Sequence, residues 1–256
     1  MPAHAASRSI EHLARWRDPA LLILIVLAAW QLLYWYAGDV ALTPPLATFA
    51  QLGDMLLSPR FLPHVQETLL AFAQGFAIAV LLGLAIGVTL GAHKLTGEVA
   101  EPILVALYSI PKVTLYPVIL LVFGIGMPAK VAFGAIQGIV PVSLFALNAI
   151  RNIKPVYTKT ARVLRLPPSR LVWHVILPAA LPEIVTGIRV GFSLTLIGTL
   201  LGEMFGAQRG LGYLLLQAMT LHNVKTIMAL TTLLVIAAAS VNAVLLAYER
   251  RLRERT

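Results

Sequence analysis

Two ionisable side chains fall within long apolar stretches of this sequence and could do chemistry there. Lys112 lies in the segment SIPKVTLYP, and Glu203 lies in the segment LLGEMFG. Such a group in a membrane interior costs about 2.5–3.5 kcal/mol on insertion scales, which makes it a candidate for function. Lys112 could stabilise an anionic solute or extend to the inner membrane surface, and its place near the inner end of the stretch favours the second role. Glu203 could meet a solute at the outer side or pair with Arg209, and the sequence does not choose between these roles.

Three further side chains in apolar stretches are weaker candidates. Tyr116 and Met204 could line a pathway, although residues of these types more often pack helices together. Arg189 could pair with Glu183 or reach lipid headgroups, and a structural role is expected for it.

No catalytic, nucleotide-binding or metal-binding motif is present in the sequence. The Gly-rich pieces GIG (124–126) and GAQRGLG (206–212) lack the Lys-Ser/Thr of a phosphate-binding loop, and neither H-E-x-x-H nor G-x-S-x-G occurs. The six histidines are scattered, and there is no cysteine. We therefore expect a protein that is not an enzyme and holds no cofactor or metal. Any ATP hydrolysis would belong to a separate subunit.

The composition predicts an all-α membrane protein. Of the 256 residues 59% are hydrophobic and 12% charged, about half the charge of a soluble domain. Apolar runs of about 20 residues suffice to cross a bilayer as helix. Six such spans fit the sequence: 20–37, 67–91, 103–123, 131–150, 184–203 and 226–248.

The basic residues predict how the spans are oriented. If the N-terminus is cytoplasmic, the inner segments hold 14 Lys and Arg residues and the outer segments hold four. This positive-inside bias places both termini in the cytoplasm and accounts for the net charge of +9 without nucleic acid.

These spans divide the chain into four parts. They are a cytoplasmic segment (1–19), the first span with an outer loop (20–66), a five-span core (67–248) and a cytoplasmic tail (249–256). An interfacial helix is predicted in the outer loop at residues 46–57. Glycines four residues apart, at 83 and 87 and at 134 and 138, permit close helix contact, either within the subunit or at a dimer seam.

A basic segment between the fourth and fifth spans (152–178) has the pattern of a helical hairpin. Pro155 suits the first turn of a helix that should end at Leu166, because Leu166 precedes Pro167. Ser169 can cap a second short helix that ends before Pro178. One side of the hairpin is apolar and the other is basic, which favours docking on a cytoplasmic protein over a simple solvated loop.

The hairpin resembles the cytoplasmic coupling loop of ABC importer permeases. In that family a Glu-Ala-Ala triplet is followed by three residues, a glycine, nine residues and Ile-x-Leu-Pro. Here the triplet position reads KTA (159–161), and the match ends in VILP (175–178). The segments SIPKVTLYPVILLVFGIG (109–126), LPAALPEIVTGIR (177–189) and GEMFGAQRGLGYLL (202–215) are similar to the nitrate/sulfonate/taurine branch. The resemblance implies ATPase coupling by Lys159, Thr160, Ala161, Arg162, Leu164, Arg165, Leu166, Val175, Leu177 and Pro178.

Two positions depart from the family pattern. Lys159 stands where the family has glutamate, and Arg165 stands where it has glycine. Because a left-handed conformation would cost arginine about 1–2 kcal/mol, we expect Pro167 and Pro168 to end the helix without a left-handed residue. Either the ATPase cleft has diverged, or this chain pairs with a second permease that carries the intact motif, and the heterodimer is slightly favoured.

The resemblance implies a type I importer permease with six spans. Its expected partners are two ATPase subunits that carry ATP and Mg²⁺, a second permease, a periplasmic solute-binding protein and membrane lipid. The solute is expected to be a small anion such as nitrate, a sulfonate, bicarbonate or an organic acid. A neutral heterocycle, such as a thiamine precursor or riboflavin, is the alternative. A stand-alone secondary transporter and a non-transporting scaffold are the rival functions, and the transporter is disfavoured because the spans hold almost no ionisable group at mid-depth.

Overall fold

The structure, a computed structural model, describes the backbone of residues 3–253 and the side chains of residues 20–253 other than 158, 162 and 168. The described backbone is helical and contains no β-strand. Its helices are α1 (Ala3–Ala37), α2 (Pro45–Leu57), α3 (Leu62–Gly91), α4 (Lys94–Ser109), α5 (Tyr116–Phe123), α6 (Met127–Arg151), α7 (Pro155–Val163), α8 (Pro168–Leu171), α9 (Leu177–Gly206), α10 (Leu211–Thr220) and α11 (Val224–Arg253).

Five helices of the described chain are long and apolar enough to cross a membrane. They lie at 20–37, 62–91, 127–151, 169–206 and 224–253, and α4 with α5 makes a sixth span if this bent pair crosses as one. The prediction of an all-helical protein with six apolar spans is confirmed, with the bent pair of α4 and α5 as the sixth span. The interfacial helix predicted at residues 46–57 corresponds to α2, whereas α10 was missed because its apolar run is only 10 residues long.

The predicted third span is not a continuous helix. Ile110 and Pro111 leave the helical conformation, a 3-10 turn follows at Lys112–Leu115, and the two halves are bent by 81°. Proline cannot donate the backbone hydrogen bond that would continue α4, and it disfavours the α conformation at Ile110. Non-helical backbone is tolerated at membrane depth only where it is buried in protein or lines a cavity.

The chain divides into two compact units. In the first, which comprises residues up to 58 together with 218–233, Trp30 of α1 donates an indole N–H to the Thr43 carbonyl at 3.1 Å. The same unit contains the turn before α11, where the Asn223 side chain accepts a hydrogen bond from the Thr226 N–H and caps the helix. The second unit comprises residues 59–217 together with 234 onward.

The second unit is built around three helices, α3, α6 and α9, that contact one another closely. Gly83 and Gly87 of α3 face α6, while Gly134 and Gly138 of α6 face Thr199 and Thr195 of α9. Both predicted glycine pairs therefore pack helices within this subunit, which answers the question that the sequence left open between the subunit's own bundle and a dimer seam.

Candidate functional site

Glu203 lies at the centre of a buried polar cluster near the end of α9. Its side chain is 0% exposed, and its carboxylate accepts hydrogen bonds from the Thr68 hydroxyl and from the Gly212 N–H, each at 2.9 Å. It does not meet solvent, and its ion-pair partner in the described chain is Lys130 rather than the side chain of Arg209. The pairing with Arg209 that the sequence suggested is therefore wrong, whereas a contact between Glu203 and a solute stays a prediction.

Lys130 supplies the positive charge of this cluster. Its side chain is 1% exposed, and its ammonium group lies 2.9 Å from a Glu67 oxygen and 3.8 Å from a Glu203 oxygen. The sequence analysis had counted Lys130 as an ordinary outer-loop charge. We call Glu67, Thr68, Lys130 and Glu203 the charge cluster. It joins the second turn of α3 and the first turn of α6 to the last turn of α9.

The charge cluster also holds the loop that connects α9 to α10. The Lys130 ammonium donates to the Arg209 carbonyl at 3.3 Å, and the Leu211 N–H donates to the Thr68 hydroxyl at 2.8 Å. Gly210 has φ +129°, and a side chain at this position would collide with the Glu203 carboxylate. The loop is therefore fixed by backbone groups that point into the cluster, and only glycine fits at its closest approach.

Tyr116 packs between helices. Its ring packs edge-on against the Phe133 ring, with 5.0 Å between the ring centroids, and its hydroxyl donates to the Gly202 carbonyl at 2.7 Å. Met204 is half-buried beside the charge cluster residue Glu203. Tyr116 thus has the helix-packing role that the sequence analysis named as its alternative.

Lys112 lies at the break between α4 and α5 and lines a cavity. The cavity has a volume of ≈390 Å³, and Gln137 of α6 and Leu194 of α9 also line it. The Lys112 side chain is 7% exposed, and its ammonium group donates to the Tyr108 carbonyl at 3.2 Å. Its neighbour Gln137 lies near the middle of α6. The extension of Lys112 to the inner membrane surface stays a prediction.

Arg189 forms an ion pair between α9 and α11. Its Nε donates to a Glu249 oxygen at 3.0 Å, and the Thr186 hydroxyl donates to the other oxygen at 2.8 Å. The structural role expected for Arg189 is in place, but its partner is Glu249 instead of Glu183. Glu249 lies 60 residues away in sequence, and the sequence analysis considered only nearby partners.

The predicted hairpin begins as expected with α7, but its turn is built differently. Arg165 has φ +49°, and the Leu166 N–H donates to the Ala161 carbonyl at 3.0 Å. This is the backbone arrangement of a helix end with a left-handed residue, which usually is glycine. The expectation that two prolines would replace a left-handed residue is therefore wrong, since α7 ends at Val163, before the prolines can act.

The second helix of the hairpin does not end before Pro178. It continues from α8 through a π-helical turn, Val172–Ile176, into α9, and Ser169 lies inside it and does not cap it. The Leu177 N–H donates to the Val172 carbonyl, five residues back. This wider turn places Pro178 in the first turn of the following α-helical segment, where its missing N–H costs little.

The residues assigned to coupling differ in exposure. The side chains of Lys159, Thr160, Leu164, Arg165 and Pro178 are exposed, those of Leu166, Val175 and Leu177 are half-buried, and that of Ala161 is buried. The side chain of Arg162 lies outside the described residues. At the base of the hairpin a groove of ≈520 Å³ runs between α6, α7 and the start of α9, lined by residues that include Tyr157, His174, Val175 and Glu183.

Replacing Arg165 by glycine should stabilise the hairpin. The change removes about 1–2 kcal/mol of strain that the left-handed backbone conformation imposes on arginine. It also costs about 0.5–1 kcal/mol, because glycine gives the locally unfolded hairpin more backbone entropy. We expect amide hydrogen exchange of residues 155–166, followed by mass spectrometry, to slow by roughly twofold to fivefold. Arg165→Val should speed exchange, because a β-branched residue tolerates positive φ poorly. Equal rates in both variants would contradict the strain.

Comparison with known proteins places this chain in a family. Residues 75–256 match the sequence model of the binding-protein-dependent transport system inner membrane component. The chain belongs to this family. The permease is 30% identical over 205 residues to the putative aliphatic sulfonates transport permease protein SsuC of Bacillus subtilis, covering 79% of this chain and 74% of SsuC. It is 28% identical over 222 residues to the taurine transport system permease protein TauC of Escherichia coli, covering 77% of this chain and 81% of TauC.

A solved structure has the same fold. The inward-facing MetNI methionine ABC transporter matches the permease with a TM-score of 0.63 and 23% identity, over 74% of this chain and 94% of that chain. The resemblance to the nitrate/sulfonate/taurine branch of ABC importer permeases, and the type I fold that it implied, are thereby confirmed. The permease is a multi-pass inner-membrane subunit, and its family works with ATPase subunits and a solute-binding protein.

One sequence signal could have located the charge cluster in advance. Glu67, Lys130 and Glu203 lie at the predicted outer ends of three different spans, so two acids and one base are expected at the same membrane depth.

Among the residues that the structure describes, no group of three His, Asp or Glu side chains could hold a metal ion.

Proposed function

We propose that this permease forms the solute pathway of an ATP-driven importer and takes its motion from separate ATPase subunits through the hairpin at 155–176. Two permeases would enclose the pathway, two ATPases carrying ATP and Mg²⁺ would bind at the cytoplasmic side, and a solute-binding protein would deliver cargo from outside. Closure of the ATPases would swing the packed helices between two arrangements.

The exposed apolar side chains of the hairpin carry this proposal. Val163, Leu164 and Trp173 are 82%, 65% and 67% exposed. They lie in the same hairpin as the exposed basic residues Lys159, Arg165 and Arg170. Large apolar side chains grouped with arginine and lysine are typical of a surface that a partner protein covers. The hairpin also leads directly into α9, which contacts both α3 and α6, so a push on the hairpin would reach the helices of the core.

The charge of the hairpin predicts the chemistry of the partner's cleft. The side chains of Lys159, Arg165 and Arg170 are exposed, so the docking surface is positive. We expect acidic residues in the ATPase cleft that receives it. Two explanations would account for the departures at 159 and 165. Either the ATPase cleft is adapted to this positive hairpin, or a second permease carries the intact motif. The second explanation, a heterodimer, remains slightly favoured.

The positive-inside bias supports an orientation with both termini in the cytoplasm. The inner segments hold 14 basic residues against four in the outer segments. In this orientation the hairpin faces the cytoplasm and the charge cluster lies near the periplasmic side.

We assign the solute to the class of small anions. The relatives SsuC and TauC are named for aliphatic sulfonates and for taurine, and both sulfonates and taurine carry a sulfonate group. Uptake of a neutral heterocycle in place of anions by the purified assembly would overturn this assignment.

An acidic side chain introduced on the hairpin tests the coupling surface. Leu164→Glu places an acid at the exposed apolar tip and should weaken ATPase association by about tenfold or more, as expected for the loss of an interface anchor. Val40→Glu is the matched control, because Val40 is also an apolar, exposed residue and lies in the predicted outer segment. The readout is the number of ATPase subunits that remain on the tagged permease in native mass spectrometry. Full retention of the ATPases in Leu164→Glu would refute docking at the hairpin.

The same measurement on the wild-type protein decides the assembly. Two ATPases with two copies of this chain would establish a homodimer, and two ATPases with one copy and one different permease would establish the favoured heterodimer. Absence of any ATPase would refute the proposed ATP-driven function and favour the rival function of a stand-alone transporter.

A further inference from the structure

We propose that the cavity at the break between α4 and α5 binds the anionic group of the transported solute, and that Lys112 and Gln137 are the side chains that hold it. This inference rests on the proposed function and adds to it a site and a ligand class. The ligand is a small oxyanion with one negative charge, such as a sulfonate, nitrate or bicarbonate.

Lys112 differs from the other buried cations of the helical core because it lacks an acidic partner. Three other cations in this core are three-quarters or more buried, and each pairs with a glutamate: Lys130 with Glu67, Arg151 with Glu101 and Arg189 with Glu249. In the described part of the chain no carboxylate lies within ion-pair distance of Lys112, and its one hydrogen bond goes to the Tyr108 carbonyl.

This incomplete pairing leaves donors available to a ligand. An ammonium group has three N–H donors, and the Tyr108 carbonyl accepts one of them. The Tyr108 ring, whose centroid is 5.5 Å from the ammonium nitrogen, attracts the cation without neutralising it. A buried cation at membrane depth is rare unless it is paired or functional, and a bound anion would supply the missing charge.

The composition of the cavity fits one small anion. Its lining includes the amide of Gln137, which can donate a second hydrogen bond, and contains no acidic side chain. Most of the remaining lining side chains, such as Leu194, Ile110 and Val113, are apolar and offer no competing charge. One lysine beside one amide suits a singly charged oxyanion better than a doubly charged one.

The position of the cavity suits a pathway. Gln137 lies roughly 15 Å from the start of α6 and roughly 21 Å from its end, so the cavity lies near the middle of the helical core. The 81° bend supplies the irregular backbone that, at membrane depth, is found where a cavity is lined. Charge, depth and broken backbone thus coincide at Lys112.

The sequence offers a sharp chemical test, because the chain has no cysteine. The assembly with its native partners is reconstituted in liposomes, and ATP-dependent uptake of taurine, methanesulfonate, nitrate and bicarbonate is measured. In Lys112→Cys the KM for the transported anion should rise about tenfold or more, as expected for a lost charge-assisted hydrogen bond. Modification with a methanethiosulfonate that adds an aminoethyl group should restore the KM, because it returns the ammonium group.

The controls separate charge from volume. A methanethiosulfonate that adds a sulfonatoethyl group fills the same space with negative charge and should not restore uptake, and the transported anion should protect the introduced thiol from both reagents. Lys94→Cys, at a 90% exposed side chain, should leave the KM unchanged. If Lys112→Cys does not assemble, Gln137→Met carries the test, with an expected rise in KM of about threefold or more from loss of one neutral hydrogen bond.

Three outcomes overturn the inference. They are an unchanged KM in the assembled variants, equal restoration by both reagents, and absence of protection by the anion. In each of these cases the wild-type assembly still imports an anion and the proposed function stands. If the wild-type assembly imports none of these four solutes, each of which carries an anionic group, the assignment of the solute class fails together with this site.

Discussion

Replacing Lys130 by methionine should lower the free energy of unfolding of the permease by about 3–5 kcal/mol, the usual cost of removing one partner from a buried ion pair. The side chain of Lys130 is 1% exposed, and that of Glu203 is fully buried. Without Lys130 the Glu203 carboxylate would remain buried with hydrogen bonds but no counter-charge. Methionine keeps the length of the side chain, so the loss reports the charge rather than a cavity.

The measurement is unfolding by SDS titration in mixed micelles. Lys225→Met removes an equal charge from an exposed site and should leave the free energy of unfolding within about 0.5 kcal/mol of wild type. Glu203→Gln should cost less than Lys130→Met, because Lys130 keeps Glu67 at 2.9 Å. The double variant should lose less than the sum of the two single losses, since neither buried charge is then left without its partner. Strict additivity would show that Lys130 and Glu203 do not interact.

The charge cluster holds three helix ends together by polar interactions. Helix association in a bilayer gains little from the hydrophobic effect, because lipid tails are as apolar as the side chains they replace. The cluster instead joins α3, α6 and α9 by hydrogen bonds and ion pairs, and it fixes the loop after α9 by three backbone groups.

The spans were predictable because the bilayer imposes length and hydropathy on any crossing helix. Hydropathy alone does not show the break at Pro111, because apolar residues flank it on both sides. The proline itself does indicate a break there, since it cannot continue the hydrogen-bond pattern of the helix. The sequence analysis also predicted that the first helix of the hairpin ends at Leu166, whereas α7 ends at Val163. A sequence pattern gives no measure of whether the surrounding structure can hold Arg165 at positive φ, and here the bond from Leu166 to Ala161 does so.

The partners of the buried charges were the part that the sequence could not supply. Glu203 meets Thr68 across 135 residues and Arg189 meets Glu249 across 60 residues, so each pairing depends on which helix faces are brought together. The sequence did identify Lys112 and Glu203 as unusual, because a charge within an apolar run is visible without coordinates. It did not distinguish a paired charge from an unpaired one, and this difference separates the structural role of Glu203 from the role proposed for Lys112.

Alanine at Gly87 should destabilise the permease by about 1–3 kcal/mol, even though alanine is the better helix former. A methyl group at this position would lie 2.6 Å from the Ala146 Cβ and 3.0 Å from the Leu147 backbone nitrogen, and it would collide with the Ser143 carbonyl. Two of these three atoms belong to the backbone of α6, so α6 would have to move away from α3 to admit the methyl group.

Gly53→Ala is the matched control for this prediction. Gly53 lies inside α2, and no atom lies within 4 Å of the position that an added methyl group would occupy. The same substitution should therefore stabilise the protein by about 0.5–1 kcal/mol through helix propensity alone. Opposite signs for Gly87→Ala and Gly53→Ala, measured by the same SDS titration, are expected. Stabilisation by both substitutions would show that α3 and α6 are not in backbone contact at Gly87. The glycines of α3 would then be free to serve the seam between two permeases, the alternative that the sequence alone left open.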